Sequence, residues 1–211
     1  MKLKSSSKSK FLFLFSFLSS FLFSKSSLAQ VDFTGGLMVG GVTSQMSGDA
    51  LAGWDKLGVT GGGWIHMDFN GVMGTYLGLQ YINKGSKKQA DPDNGDNNVF
   101  AFRLNYIDMP LMLTYSKSNF RIGLGPSVGV LVSQKAVYND ISYEPNPKFE
   151  TLDLAGIFSI TYQPEGNIGF ELRGGTSIIP IRPAPAVVNK LSYYEQGNYN
   201  QWMQIGIQYR F

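Results

Sequence analysis

The chain contains a single histidine, His66, in a stretch where apolar and polar residues alternate. Asp68 follows two positions later, so both side chains point to the same side of a strand. Serines on the polar faces of other strand-like stretches would complete the residue types of a Ser/His/Asp hydrolase: Ser127, Ser159 and Ser177. No spacing in the sequence brings these groups together. We therefore expect His66 to pack among polar side chains beside Tyr76, and we predict no catalytic residue.

Charged residues occupy the same polar faces as His66: Arg103, Arg121, Arg173, Arg210, Asp68, Asp153 and Glu171. A charge that is removed from water must be paired, because an isolated buried charge costs several kcal/mol. We expect these residues and His66 to form an interior polar network in which Glu171 bonds to a neighbouring arginine. A proton or ion path is the alternative interpretation of the same residues.

Other kinds of site receive little support. Cysteine is absent, which excludes disulfides and thiolate chemistry. The acidic stretch 91–96 lacks the downstream glutamate of a calcium-binding EF-hand loop, and the glycines at 61–63 lie in a strand with no helix behind them to hold phosphate. We predict no metal site and no cofactor.

The final stretch, residues 201–211, indicates how the polar faces are positioned. Apolar residues occupy every second position there: Met203, Ile205, Ile207, Tyr209 and Phe211. This alternation predicts a β-strand with one apolar and one polar face. The strand ends on an aromatic residue, as expected where both of its edges pair inside an apolar medium. A closed membrane barrel provides that setting, because lipid offers no partner to an open strand edge.

The N-terminus has the pattern of a secretory signal peptide, predicted to span residues 1–29. Four lysines precede an apolar run at 11–23, and small residues, Ser27 and Ala29, precede the cleavage point. A membrane anchor is the competing interpretation, but 13 residues fall short of the ~20 that span a bilayer as a helix. The mature domain, 30–211, keeps 13 basic and 15 acidic residues, a net charge of −2, so we expect no nucleic-acid partner.

Eight strand-like stretches can be read along the mature chain: 31–43, 57–69, 72–83, 99–115, 120–133, 152–163, a stretch that starts at 168, and 201–211. Short turns alternate with long polar loops at 44–56, 84–98, 136–151 and 179–198. The pattern predicts an all-β fold: an eight-stranded antiparallel up-and-down transmembrane β-barrel with a side-chain-filled interior. The turn at Asn70 and Gly71 would place Trp64 opposite Gly78 and His66 opposite Tyr76.

The fourth stretch changes phase, since its apolar residues are even-numbered from Phe100 to Tyr106 and odd-numbered from Leu111 to Tyr115. We interpret this as a β-bulge near 108–110. A secreted lipocalin-like barrel would have the same strand count, with its apolar face inward. The polar face here is mostly Gly, Ser and Thr, whereas a soluble surface would carry more Lys and Glu. The apolar face is therefore predicted to contact lipid, with aromatic girdles at both ends.

The terminal pattern Gln204, Gly206, Tyr209 and Phe211 resembles the C-terminal signature of bacterial outer-membrane barrels. That resemblance implies an assembly signal that the barrel-assembly machinery reads. Residues 79–85, 106–115 and 123–129 are similar to the PorT-like outer-membrane β-barrel family, whose namesake is associated with type IX secretion. The resemblance implies a cell outer-membrane location, contact with outer-membrane lipid and partners in a secretion complex. It supplies no catalytic residues.

These observations favour a non-enzymatic outer-membrane barrel that acts through its four outer loops in binding, adhesion or service to protein secretion. A small porin and a lipid-modifying barrel enzyme remain the alternatives.

Overall fold

The computed structural model describes residues 31–48, 53–183 and 197–211, so the predicted signal peptide, 1–29, lies outside the described residues. The described chain is almost entirely β-strand: β1 Asp32–Ser47, β2 Lys56–Asp68, β3 Met73–Lys88, β4 Phe100–Lys117, β5 Phe120–Tyr138, β6 Ile141–Tyr143, β7 Leu152–Tyr162, β8 Ile168–Ser177, β9 Arg182–Pro183 and β10 Gly197–Arg210. One short 3-10 turn, Pro92–Asn94, lies between β3 and β4. None of these residues lies in a helix that is long and apolar enough to cross a membrane.

Eight strands form a closed ring in the order β1, β2, β3, β4, β5, β7, β8, β10. Each pairs antiparallel with its neighbours, and β1 pairs with β10 from Gly36 opposite Arg210 to Ser47 opposite Tyr199. The short strands β6 and β9 pair with the extended ends of β5 and β10. The last long strand therefore has a partner on both sides, and the predicted eight-stranded up-and-down barrel is confirmed.

The connections differ at the two ends of the ring. At the turn end they are short, and the turn between β2 and β3 is held by its own side chains. Asp68 accepts a hydrogen bond from the backbone N–H of Asn70 at 3.0 Å, and Asn70 accepts one from that of Met73 at 2.8 Å. Gly71 has a φ of 77°, which favours glycine. At the loop end the connections β1–β2, β3–β4, β5–β7 and β8–β10 are long.

The outward face of the ring is apolar. Leu79, Val130 and Ile205 are 58%, 43% and 70% exposed, so these side chains point away from the centre. The same holds for the apolar positions predicted on β1, β2 and β10. A continuous exposed apolar band on a closed ring is typical of a barrel in lipid and excludes a calyx whose strands direct their apolar faces inward.

Two tryptophans fit inside the ring because the neighbouring strands carry glycine. Trp64 lies opposite Gly78 and His66 opposite Tyr76, as the sequence predicted. A Cβ on Gly36 would lie 2.6 Å from the Trp64 ring, and one on Gly175 would lie 2.4 Å from the Trp202 ring. Both distances are too short for real atoms, so these glycines make room for the indoles.

The prediction of a bulge near 108–110 is wrong. Strand β4 keeps one phase, with its even-numbered residues inside from Leu104 to Thr114. The register shift lies between β4 and β5, where Asn105 pairs with Ser133 and Tyr106 with Leu131, so that Val132 has no partner. Phe100 and Phe102 also face inward, so they do not belong to an outer aromatic girdle.

Candidate functional site

The interior near the turn end contains a cluster around Glu171. We use "Glu171 cluster" for Glu171, Arg173, Gln80, Gln204 and Gln208. The Glu171 carboxylate lies 2.9 Å from the Arg173 guanidinium and accepts hydrogen bonds from Gln204 at 3.2 Å and Gln208 at 2.7 Å. Arg173 is 1% exposed and donates to Gln80 Oε1 at 3.2 Å. The buried negative charge is therefore paired and hydrogen-bonded.

A second cluster lies closer to the loop end. We use "Lys84 cluster" for Lys84, Asp108, Asp153, Ser177 and Asn200. The Lys84 ammonium lies 3.2 Å from Asp153 and 3.9 Å from Asp108, and all three side chains are buried. Asp153 also accepts hydrogen bonds from Ser177 at 2.7 Å and Asn200 at 2.9 Å. One lysine is thus shared between two carboxylates.

Aromatic rings and an amide link the clusters. Lys84 Nζ lies 3.5 Å from the centroid of the Trp202 ring, and the Arg173 guanidinium lies 5.0 Å from that of Tyr76. Both distances allow cation–π attraction. Gln80 accepts from Arg173 and lies 3.5 Å from an Asp108 carboxylate oxygen, so it connects the two clusters. Polar contacts consequently extend along most of the interior.

Side chains from the connections cover the interior at the loop end. Phe149, between β6 and β7, and Ile181, just before β9, are buried in the apolar cluster that contains Leu104 and Tyr106. The Phe149 N–H donates to Gln134 Oε1 at 2.9 Å. The Arg182 guanidinium lies 5.3 Å from the centroid of the Phe149 ring. These contacts fix two outer connections across the mouth of the barrel.

The residues of the hydrolase pattern are not brought together. His66 bonds to Thr114 Oγ1 at 2.8 Å, whereas Asp68 holds the β2–β3 turn. Ser159 contacts the Met112 sulfur at 3.4 Å, and Ser177 donates to Asp153. Within 31–48, 53–183 and 197–211, no three His, Cys, Asp or Glu side chains group as metal ligands.

The structure places the predicted charged residues in three settings. Asp153, Glu171, Arg173 and His66 are buried inside the ring. Arg121 is half-buried near the turn end, and the Arg210 guanidinium donates to the Gly166 carbonyl at 2.7 Å in the β7–β8 turn. Arg103 contradicts the prediction of an interior position, because it is exposed on the outward face of β4. The error follows from the bulge prediction, which reversed the faces of this half of the strand.

Sequence reasoning missed Lys84, Asp108 and Asn200. Lys84 falls in a polar stretch that was interpreted as a loop, but β3 continues to Lys88. Its even position number could have identified Lys84 as inward-facing, because Tyr76, Gln80 and Ile82 occupy the inward positions of this strand.

A closed antiparallel ring with an apolar outside and paired charges inside defines a small membrane β-barrel. Residues 15–182 match the family described as outer membrane protein beta-barrel domain. The chain belongs to this family, and its location is the outer membrane. No curated protein matches the sequence.

Solved structures match the chain at low identity. The Neisserial surface protein A structure has a TM-score of 0.52 and 11% identity, and the match covers 85% of this chain and 97% of that one. Ail, the attachment invasion locus protein of Yersinia pestis, in complex with the heparin analogue sucrose octasulfate, matches with a TM-score of 0.48 and 14% identity over 85% and 99% of the two chains. At 11% identity, the likeness to Neisserial surface protein A concerns the fold alone.

Proposed function

We propose that the protein is a non-enzymatic and non-conducting outer-membrane barrel that acts through its outer connections in binding, adhesion or service to a secretion complex. The observation that carries this proposal is the interior. The Glu171 and Lys84 clusters and an apolar cluster of buried side chains lie inside the ring, and Phe149 and Ile181 are buried at its loop end. Chemistry or transport through the ring has no support in these contacts, so we place the activity outside it.

The hairpin of β5 and β6 is the best candidate for contact with a partner. It projects exposed apolar and aromatic side chains beyond the ring: Tyr138, Ile141 and Tyr143. Tyr138 donates to Asn98 at 2.8 Å, and Asn139 Oδ1 accepts from the Val99 N–H at 2.9 Å. The hairpin is therefore fixed against the β3–β4 connection. A surface that is already ordered loses less entropy when it binds.

The similarity to PorT-like barrels supports a secretion complex as the partner. The assembly-signal role of Gln204, Gly206, Tyr209 and Phe211 belongs to the same proposal. In the ring, Gln204 and Gly206 face inward, whereas Tyr209 and Phe211 face outward.

The test compares wild type with an Ile141→Ser, Tyr143→Ser variant in cells. We measure secreted protein in the medium, cell adhesion, and crosslinked partners in detergent-solubilised outer membrane. The matched control is Val72→Ser, which removes an exposed apolar side chain at the turn end. We expect the hairpin variant to lose the crosslinked partner together with adhesion or secretion, and the control to keep them. Wild-type behaviour of the hairpin variant in all three assays would contradict the role of this hairpin.

A further inference from the structure

Basic side chains gather at the loop end of β2, β3, β4 and β5. We name Lys56, Lys87, Arg103 and Lys135 the rim patch. Arg103 and Lys135 are directly opposite each other on neighbouring strands, and both are exposed. Lys87 lies two positions beyond Gly85, the β3 partner of Arg103. Lys56 itself is buried beneath the patch, where its ammonium donates to the Leu57 carbonyl at 2.7 Å and to the Asn83 side chain, and it adds positive charge close to Arg103 and Lys87.

The described chain does not neutralise this patch. Like charges directly opposite each other on one sheet face are destabilising. Within the described ranges, Lys87, Arg103 and Lys135 form no ion pair. Two acidic residues of the nearby connections pair with other lysines, Glu144 with Lys148 at 2.9 Å and Asp96 with Lys88. The described residues thus leave the positive charges of Lys87, Arg103 and Lys135 without an ion-pair partner.

The β5 bulge determines where Lys135 points. Below the bulge the odd-numbered residues of β5 face inward, for example Ser127 and Gly129. Because Val132 has no partner, the phase reverses, and Lys135 faces outward beside Arg103. A regular strand would direct Lys135 into the barrel. Bulges commonly redirect side chains in this way at functional positions.

The patch lies immediately beyond the lipid-facing band. The last apolar outward pair between β3 and β4 is Tyr81 opposite Ile107, and the next is Asn83 opposite Asn105. The Tyr81 hydroxyl donates to Asn105 Oδ1 at 2.9 Å. Arg103 is one outward position further, about 7 Å along the strand. Tyrosine marks the interface of a bilayer, so the cations are at the level of the lipid headgroups.

The described strands on the opposite side of the ring differ. The loop-end halves of β1, β7, β8 and β10 direct no charged side chain outward. Among the described strand residues at the loop end, the outward-facing charge is therefore confined to one side of the ring.

We propose that the rim patch binds the phosphate groups of anionic lipids in the outer leaflet. The Arg103 guanidinium can bond a phosphate through two N–H groups, and the lysines add charge around it. The apolar band below the patch places a lipid with its acyl chains on β3 and β4 and its phosphates at Arg103. The inference concerns the rim and not the hairpin, so it does not depend on the partner proposed above.

The test uses native mass spectrometry of the full-length barrel in micelles that contain either lipid A with two phosphates or the same lipid without phosphates. We expect the phosphorylated lipid to remain bound to wild type at low salt. An Arg103→Gln, Lys135→Gln variant should bind it roughly tenfold more weakly. The matched control, Lys117→Gln with Lys148→Gln, removes two exposed cations outside the patch and should bind like wild type.

Equal retention of the two lipids by wild type, or equal binding by the patch variant, would overturn the proposal. Release of the lipid by millimolar inorganic phosphate would also overturn it, because the patch would then be a site for free phosphate. If the double variant fails to fold, the test rests on the salt dependence of the wild type. Its binding of the phosphorylated lipid must weaken steeply between low and high salt, and salt-independent binding counts against the patch.

Discussion

Lys84 and Arg103 lie in adjacent pairs of the same ladder, since Lys84 is opposite Leu104 and Gly85 is opposite Arg103. They are on opposite sides of the barrel wall. Lys84 is fully buried, with two carboxylates and the Trp202 ring around it, whereas Arg103 is exposed beside another cation. The wall therefore separates a region in which charges are paired within the chain from one in which two exposed cations stand side by side.

The difference has a physical cause. Inside the ring neither bulk water nor lipid headgroups can compensate a charge, so every cation needs a partner supplied by the chain. At the rim, water and headgroups screen the charge, and an unpaired cation costs little. Substitutions on the two sides of the wall should accordingly have very different effects on stability.

The largest effect is expected for Glu171→Ala. The substitution leaves Arg173 buried without its carboxylate and removes the acceptor of two glutamines. We expect a loss of about 3–5 kcal/mol in the free energy of unfolding. Urea titration of the refolded barrel, followed by its heat-modified gel mobility, measures it. Glu171→Gln keeps the side-chain volume and one oxygen, so its free energy of unfolding should fall less. An unchanged unfolding midpoint for Glu171→Ala would contradict the interior pairing.

A smaller effect is expected for Asp153→Asn in the Lys84 cluster. The amide cannot accept as many hydrogen bonds as the carboxylate, but Lys84 keeps Asp108 at 3.9 Å. We predict a loss of about 1–3 kcal/mol in the same titration. Asp55→Asn in an exposed connection is the matched control and should leave the midpoint unchanged. If both variants unfold at the same urea concentration, Asp153 makes no stabilising contact.

The smallest effect is expected for the Arg103→Gln, Lys135→Gln variant. Exposed substitutions usually change stability by no more than about 0.5 kcal/mol, and here the loss of a like-charge pair favours folding. We predict an unfolding midpoint at or slightly above that of wild type in lipid-free detergent. A strong destabilisation would show that these residues hold the barrel together, and would contradict the difference in stability between the two sides of the wall.

The closing strand and the lipid-facing alternation of β1, β2, β3 and β10 could be predicted because period-2 apolar residues face hydrocarbon there. That signal stops at the membrane boundary. Beyond Ile107 the outward side of β4 meets headgroups and water, so Asn105 and Arg103 face out and Leu104 and Phe102 face in. The strand keeps its alternation while its outward residues change from apolar to polar, and we interpreted this change in the sequence as a bulge. The real bulge at Val132 left no mark in the sequence, since valine suits either face.

The interior pairs could be predicted only in part. Glu171 and Arg173 share a face two residues apart on one strand, which period 2 alone indicates. Lys84 and Asp153 are 69 residues apart on strands that are not neighbours in the ring, and they meet across the interior. The register of each hairpin must be known before such a pair can be recognised.

Single-channel recording in planar bilayers tests most directly the claim that paired charges close the interior and leave activity to the outer surface. The purified wild-type barrel is inserted from detergent, and insertion is checked by its heat-modified gel mobility. We predict a membrane current without discrete steps. Reproducible single-channel openings of wild type would contradict it and would identify the interior as a pathway.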